Sequence, residues 1–478
     1  EAAAAAADAA ADKEVEVRRK NLLIVARRGL SLVSTAAGSR SAAGSQDAQG
    51  RLVLSVLRFL RHAEESVARA AQDGLVRACN ADPDGAKVVL PQILGGLIWL
   101  LGDEESDAHR IALGVLARLL AIDPKAEDDD DKKAAQVSAL TNACEGVLSP
   151  ILRSDTTEWD AHVAAVHGVT AVLEVNKEVG AYLLKQESIF WSLAEAAELE
   201  DEHLNKSLAE IYAHAANDTQ HFRDKAGDEP IRQLKKMLKS AKPRVRCRAC
   251  VALAKVALLH QNHRVDINPS GKLLTATLGL LEAKVPPSVH RWAVEALMFL
   301  TVLPDTKAHM IEKAVGFGSL VALSESVKDG DTSLHFSLVQ AFRRLCVARD
   351  KSDDQKRLEQ EMEPRQIEQM RQMQQSAGGA GAAPSEKEDD PEHLRLMAWR
   401  LVQDDAVCVL AEVVASAKSA AISLPAAQVL LSMACTPEAR GKIVQQGGFK
   451  ALLSLTLSEE PKARSAAAWG LAKVGISI

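Results

Sequence analysis

The stretch Ala249-Cys250-Val251-Ala252-Leu253-Ala254-Lys255-Val256 decides how this chain is read. Ala249, Ala252, Leu253 and Val256 stand at i, i+3, i+4 and i+7, the spacing that lays one stripe along a helix and buries it against neighbouring helices. The pattern returns as Ala293, Ala296, Leu297 and Leu300, and as Ala467, Gly470, Leu471 and Val474. Looser copies begin at Ala112, Ala165, Leu204, Leu338 and Ala426, so successive first positions lie 53, 39, 45, 44, 45, 88 and 41 residues apart. A repeat of about 40–47 residues is what a module of two or three helices occupies, and the 88 is two periods with an insertion.

The breaks between helices repeat as well. Gly447-Gly448 stands before Phe449 to Leu453 and Gly95-Gly96 before Leu97 to Leu101, and polar breaks follow at Ser458-Glu459-Glu460-Pro461 and Asp103-Glu104-Glu105-Ser106. The order of Gly-Gly turn, leucine helix, polar turn and small-residue helix resembles an armadillo repeat, in which glycine permits the sharp turn and small side chains let helices approach closely. The pattern predicts an all-α, armadillo-like right-handed helical solenoid of ARM/HEAT repeats.

Composition agrees. The 478 residues are about three times the usual single domain, which favours an extended array over one large core. Apolar residues at 47% and charged residues at 26% exclude wholesale disorder, and aromatics at 3% favour helices packed through Ala and Leu. A net charge of -6 is the wrong sign for a protein whose main partner is nucleic acid or an anionic membrane. Seven cysteines without closely paired spacing predict reduced thiols and a cytoplasmic location. No apolar run approaches the ~20 residues that cross a bilayer. The start at Glu1 and the finish at Ile478 without a polar tail predict a piece of a longer protein.

Three regions follow from these shifts: a low-complexity Ala/Ser/Gly-rich end over 1–50 with a capping helix between Asp12 and Val33, a central armadillo region over 51–270, and armadillo repeats over 271–478. Residues 124–133 read as an acidic surface loop. A polar insertion spans 348–394, with a solvated helix from Asp354 to Gln374 and a loop over 376–392.

The motifs that carry chemistry fail on spacing. Cys247 and Cys250 precede His260 and His263, but a helix over 244–259 places His260 some ~15 Å along the rod from Cys250, too far for four ligands to converge. His162 and His167 lie five apart rather than four, which predicts one half-buried and one exposed histidine. The run from Asp128 to Asp131 lacks the glycine and distal glutamate of a calcium loop. No phosphate-binding glycine loop and no Gly-x-Ser-x-Gly elbow occurs. The prediction is a binding scaffold, not an enzyme, with no cofactor and no metal.

In such a scaffold the last helix of each repeat lines the concave side, so residues that interrupt its apolar stripe are the partner-binding candidates. They are Arg246, Arg291, Glu295, His335, Arg343, Arg344, Trp469 and Lys473.

His290-Arg291-Trp292-Ala293-Val294-Glu295-Ala296-Leu297 resembles the Arg-Trp-Ala-Val-Glu-Gly-Leu segment of the UCS myosin chaperones, the family of animal Unc and fungal Cro and She proteins. The stretch from Arg440 to Leu452, with Ala472 to Ile476, is similar to a second signature of that family, in the same order. The likeness covers 190–478, and repeat register extends it weakly towards the start. It implies a non-enzymatic chaperone or co-chaperone that holds the myosin motor domain during folding or assembly, with Arg291, Glu295, His335, Arg343 and 348–394 on the client surface. It also implies the ninety-kilodalton heat-shock chaperone as a partner, although no tetratricopeptide pattern accompanies the repeats. The alternative is an armadillo adaptor that binds an extended peptide in transport or signalling.

Overall fold

The computed structural model describes residues 55–61, 65–80, 83–101, 107–122, 129–153, 159–196, 201–216, 229–260, 263–282, 285–313, 317, 320–328, 330–348, 390–416 and 419–475. Every regular element among the described residues is a helix. The chain divides into two compact units, Glu1–Glu229 and Pro230–Ile478.

The periodic stripe is the core of each unit. Its first positions, Ala112, Ala165 and Leu204 in one unit and Ala249, Ala293, Leu338, Ala426 and Ala467 in the other, are all 0% exposed. Of the stripe residues only Leu471 is half-buried rather than buried. Burying a Leu or Val side chain stabilises by roughly 1.5–3 kcal/mol, so a stripe repeated at this period is the main driving force for stacking.

In the second unit the helices lie in three rows. Each stripe-bearing helix packs on the next along the chain: Pro243–Leu259, Pro287–Leu300, Thr332–Cys346, Ala420–Ala434 and Pro461–Gly475. A second row holds Val321–Lys328, Ala406–Ser416 and Gly448–Leu455, and another holds Pro304–Glu312, Pro391–Gln403 and Arg440–Gln445. In the first unit Asp107–Leu119, Trp159–Val175 and Glu202–Ala215 form the corresponding stripe row. This is the all-α, armadillo-type stack that the period predicts. Numbered along the chain, the stripe helices are α1 (Asp107–Leu119), α2 (Trp159–Val175), α3 (Glu202–Ala215), α4 (Pro243–Leu259), α5 (Pro287–Leu300), α6 (Thr332–Cys346), α7 (Ala420–Ala434) and α8 (Pro461–Gly475).

Local chemistry sets where these helices begin. Pro243, Pro287 and Pro461 open α4, α5 and α8, where a missing N–H costs nothing. Asp331 Oδ1 caps α6 by accepting from the Ser333 and Leu334 amides at 2.9 and 3.2 Å. Repeats on either side of 349–389 are joined directly: Arg343 Nε donates to Gln428 Oε1 at 2.8 Å, Arg400 Nη1 to the Met310 carbonyl at 2.8 Å, and the Leu320 amide to the Asp404 carbonyl at 3.0 Å.

Several expectations are corrected. Gly447 has φ +82 and caps Gly448–Leu455, the turn its sequence predicts. Gly95 and Gly96, by contrast, lie inside Pro83–Ile98, with Gly96 pressed against Leu57, so this pair opens no helix. Asp130 and Asp131 are not loop residues: they occupy the first turn of Asp130–Leu152, where acids complement the helix dipole, and Asp129 caps it. The bond from Lys132 holds the Asp129 carboxyl below the usual carboxylate range. Residues 391–394 belong to the helix Pro391–Gln403, capped by Asp390, rather than to the polar insertion. The low-complexity end over 1–50, the capping helix at 12–33 and the segment 349–389 lie outside the described residues.

Candidate functional site

The stripe helices of the second unit share one register. Three residues before the first stripe position stand Arg246, His290, His335, Ser423 and Arg464. Four of them reach back to the chain that leads into their own helix. Arg246 Nη1 donates to the Ser240 and Ala241 carbonyls at 2.9 and 3.1 Å, and Arg464 Nη1 does the same to Ser458 and Glu459 at 2.9 Å each. His335 Nε2 bonds the Val327 carbonyl at 2.8 Å, and Ser423 Oγ donates to Ser419 at 3.1 Å. His290 pairs through Nδ1 with Ser326 Oγ at 2.8 Å. Burial pushes the His290 pKa down, and a bond to the Glu282 backbone partly offsets that. Arg246 and His335 therefore lock turns, and His335 is 1% exposed.

Later register positions tie neighbouring helices together. Lys255 Nζ on α4 meets Glu295 Oε1 on α5 at 3.3 Å, and Arg343 on α6 meets Gln428 on α7. Arg344 Nη1 on α6 donates to the Met298 carbonyl on α5 at 2.6 Å. Burial and the neighbouring Arg343 lower the Arg344 pKa from its ordinary value. The Arg248 guanidinium lies 3.1 Å from the Trp292 ring centroid and that of Arg291 lies 4.8 Å from it, a cation–π contact on each count.

Where these ties leave space, α5, α6 and the start of α7 enclose an open groove of about 510 Å³, lined by Arg291, Glu295, Met298, Phe336 and Ile422 among others. Arg291 also faces Asp331 at 3.6 Å across its rim. Of the sequence candidates only Arg291 and Glu295 line this groove. Trp469, 63% exposed, and half-buried Lys473 stand together on α8, away from it. Phe336, 41% exposed over the groove, was not among the candidates. The signal that finds it is register: Phe336 and Arg291 both stand two residues before their stripe.

The paired thiols are structural. Cys247 and Cys250 are 1% and 0% exposed, and burial pushes the Cys250 pKa up to about 12. Among the described residues no three His, Cys, Asp or Glu side chains are grouped to hold a metal ion. His162 is half-buried, but His167 is buried, not exposed, with Nδ1 at 3.0 Å from Ser207 Oγ.

The fold and this groove define an armadillo-type helical repeat protein. Residues 69–269 match the family model UNC45-central, described as myosin-binding striated muscle assembly central. This chain is similar to UNC-45 from Drosophila melanogaster, 22% identical over 98% of this chain and 55% of that one, with a TM-score of 0.47. It is similar to the myosin chaperone UNC-45 from C. elegans solved with a Hsp90 peptide, 17% identical over 91% of this chain and 51% of that one, TM-score 0.48. She4p matches at 13% identity over 95% of this chain and 53% of that one, with a TM-score of 0.52, a likeness of fold. The chain spans about half the length of these structures. The match to the UNC45-central model over 69–269 agrees with the family resemblance read from the sequence.

Proposed function

We propose that the chain is a non-enzymatic, cytoplasmic chaperone or co-chaperone for myosin, and that the groove between α5, α6 and α7 holds part of the motor domain while it folds or assembles. The central-domain match supports a myosin-directed role. The observation that carries the groove's part is its make-up: Phe336 and Met298 offer apolar area inside a rim of Arg291, Glu295 and Asp331. Apolar centres with polar rims hold protein partners without chemistry. The heat-shock chaperone is proposed as a second partner on the family relation alone.

The extended-peptide adaptor is the weaker reading. An adaptor of that kind bonds a peptide backbone through polar side chains of the stripe helices, and here Glu295 and Gln428 are taken up by Lys255 and Arg343.

The test is light scattering of heated myosin motor fragment with the purified chain and no ATP. Aggregation should be suppressed, and Phe336→Ala combined with Arg291→Glu should weaken suppression about tenfold with unchanged helicity, as loss of a buried aromatic anchor does. Full suppression by that variant would remove the groove from the mechanism, and no suppression by the parent chain would remove the function.

A further inference from the structure

One helix start at the groove is left open. Helix α7 begins after Ser419, which has the extended backbone of a cap residue (φ -72, ψ 137) but gives no side-chain bond, and no acid lies in the first turn. The Ala420 and Ala421 amides that follow carry no hydrogen bond among the described residues. The neighbouring stripe helices are closed in other ways: α6 by Asp331, and α5 and α8 by an opening proline that has no N–H to satisfy. Ser419 and Ala421 both line the groove, so the open start faces it.

A second observation comes from α6. Ser337 also lines the groove and is only 6% exposed, yet its hydroxyl makes no hydrogen bond among the described residues. A buried hydroxyl left without a partner is costly, and a polar ligand in the groove removes that cost. Thr332, Ser333 and Ser419 add three more hydroxyls to the same walls, likewise unbonded among the described residues. Formal charge is balanced here, because Arg291 faces Asp331 at 3.6 Å and Glu295 faces Lys255 at 3.3 Å. What is left over is the positive end of α7, equivalent to about half an elementary charge, and a set of hydroxyl donors.

We propose that the groove binds a phosphoryl group carried on a polypeptide side chain, held by the Ala420 and Ala421 amides at the start of α7 and by the hydroxyls of Ser337 and Ser419. Helix-start amides and hydroxyls both donate to an oxyanion. A phosphoryl group presents three terminal oxygens in a tetrahedral array and so accepts from α6 and α7 at once, whereas a carboxylate presents two in one plane. A single open helix start answers a single such group, which favours one modified side chain over the row of phosphates on a nucleic acid. The site is defined by the groove's own donors and is independent of which client the groove holds.

The experiment is fluorescence anisotropy of short labelled peptides on the whole chain. One peptide carries a central phosphoserine among Gly and Ala, a second carries Ser there and a third Glu; oligothymidylate is the fourth probe. The phosphopeptide should bind about tenfold more tightly than the other two peptides, and an excess of inorganic phosphate should displace it. Ser419→Asp supplies the missing cap from within, so it should raise the melting temperature while weakening the phosphopeptide about tenfold, a pair of opposite changes that damage to the fold cannot produce. Ser337→Ala, which breaks no internal bond, should weaken the phosphopeptide about fivefold with the melting temperature unchanged. Ser454→Asp, exposed on Gly448–Leu455, places the same new charge outside the groove and should leave affinity as it was. Equal affinity for the phosphoserine peptide and either of the others, no displacement by inorganic phosphate, tighter binding of oligothymidylate, or full affinity in Ser419→Asp or Ser337→Ala would overturn the proposal. Should heated myosin fragment be protected while the phosphopeptide fails to bind, this inference falls and the chaperone reading stands. Phosphopeptide binding as expected with no protection of myosin would have the reverse meaning.

Discussion

Helices α2 and α4 bury the same pattern, Ala165, Gly168, Val169 and Val172 in one and Ala249, Ala252, Leu253 and Val256 in the other. Their remaining positions differ in sign: α2 carries Asp160 and Glu174 and no Lys or Arg, whereas α4 carries four basic residues and no acid. The comparison separates two jobs within one helix. Stripe positions meet neighbouring helices and tolerate only small or apolar side chains, so they recur in both units. The positions between them meet turns, adjacent helices or solvent, and it is there that the units diverge.

The largest expected effect tests whether the stripes are equivalent. Leu208→Ala in α3 and Leu297→Ala in α5 should each cost about 2–5 kcal/mol in urea unfolding, since both are 0% exposed. A cost below about 1 kcal/mol in either would mean that the two stripes are not the same kind of core.

The register offers a sharper cut. His335→Phe should cost about 1–3 kcal/mol by leaving the Val327 carbonyl unpaired, and should leave myosin binding by the folded variant unchanged. Weakened binding with full stability would return His335 to the partner surface.

The two Gly-Gly pairs come next. Gly447→Ala, at φ +82, should cost about 1–2 kcal/mol in thermal melts. Gly95→Ala should instead stabilise by about 0.5–1 kcal/mol, because its new methyl would stand 3.8 Å from Val147 in a helix interior. Equal losses at both sites would restore the idea of two equivalent turns.

The smallest effect is a pH dependence confined to the second unit. Burial holds His290 below the usual histidine range, so the unfolded chain takes up its proton first as pH drops below about 6.5. The contribution of His290 is complete above that pH and is lost as acidification passes its folded pKa. The melting temperature should therefore fall further between neutral and mildly acidic pH in the parent chain than in His290→Gln. Identical slopes would show that the imidazole is not held neutral.

How much of this was legible in advance depended on the range of the interaction concerned. The helices, their stripe and the rejection of Cys247, Cys250, His260 and His263 as one metal site all follow from spacing along a single rod. The turn-locking bonds of Arg246 and His335 were not legible, because a polar side chain beside a stripe looks solvated until the path of the preceding turn is known. That turn brings the Ser240, Ala241 and Val327 carbonyls back over them. Gly96 was misread as a turn because the residue that packs on it, Leu57, comes from a separate helix.

The amino-acid order on its own determined that this chain forms armadillo-type helices, where their buried faces lie and which family it resembles, because period and helix start are local properties. Tertiary structure alone decided which polar residues lock turns, which bridge helices, and that Arg291 and Glu295 line an open groove with Phe336. Those choices depend on distances between helices some 40–90 residues apart in the chain, which no local pattern encodes.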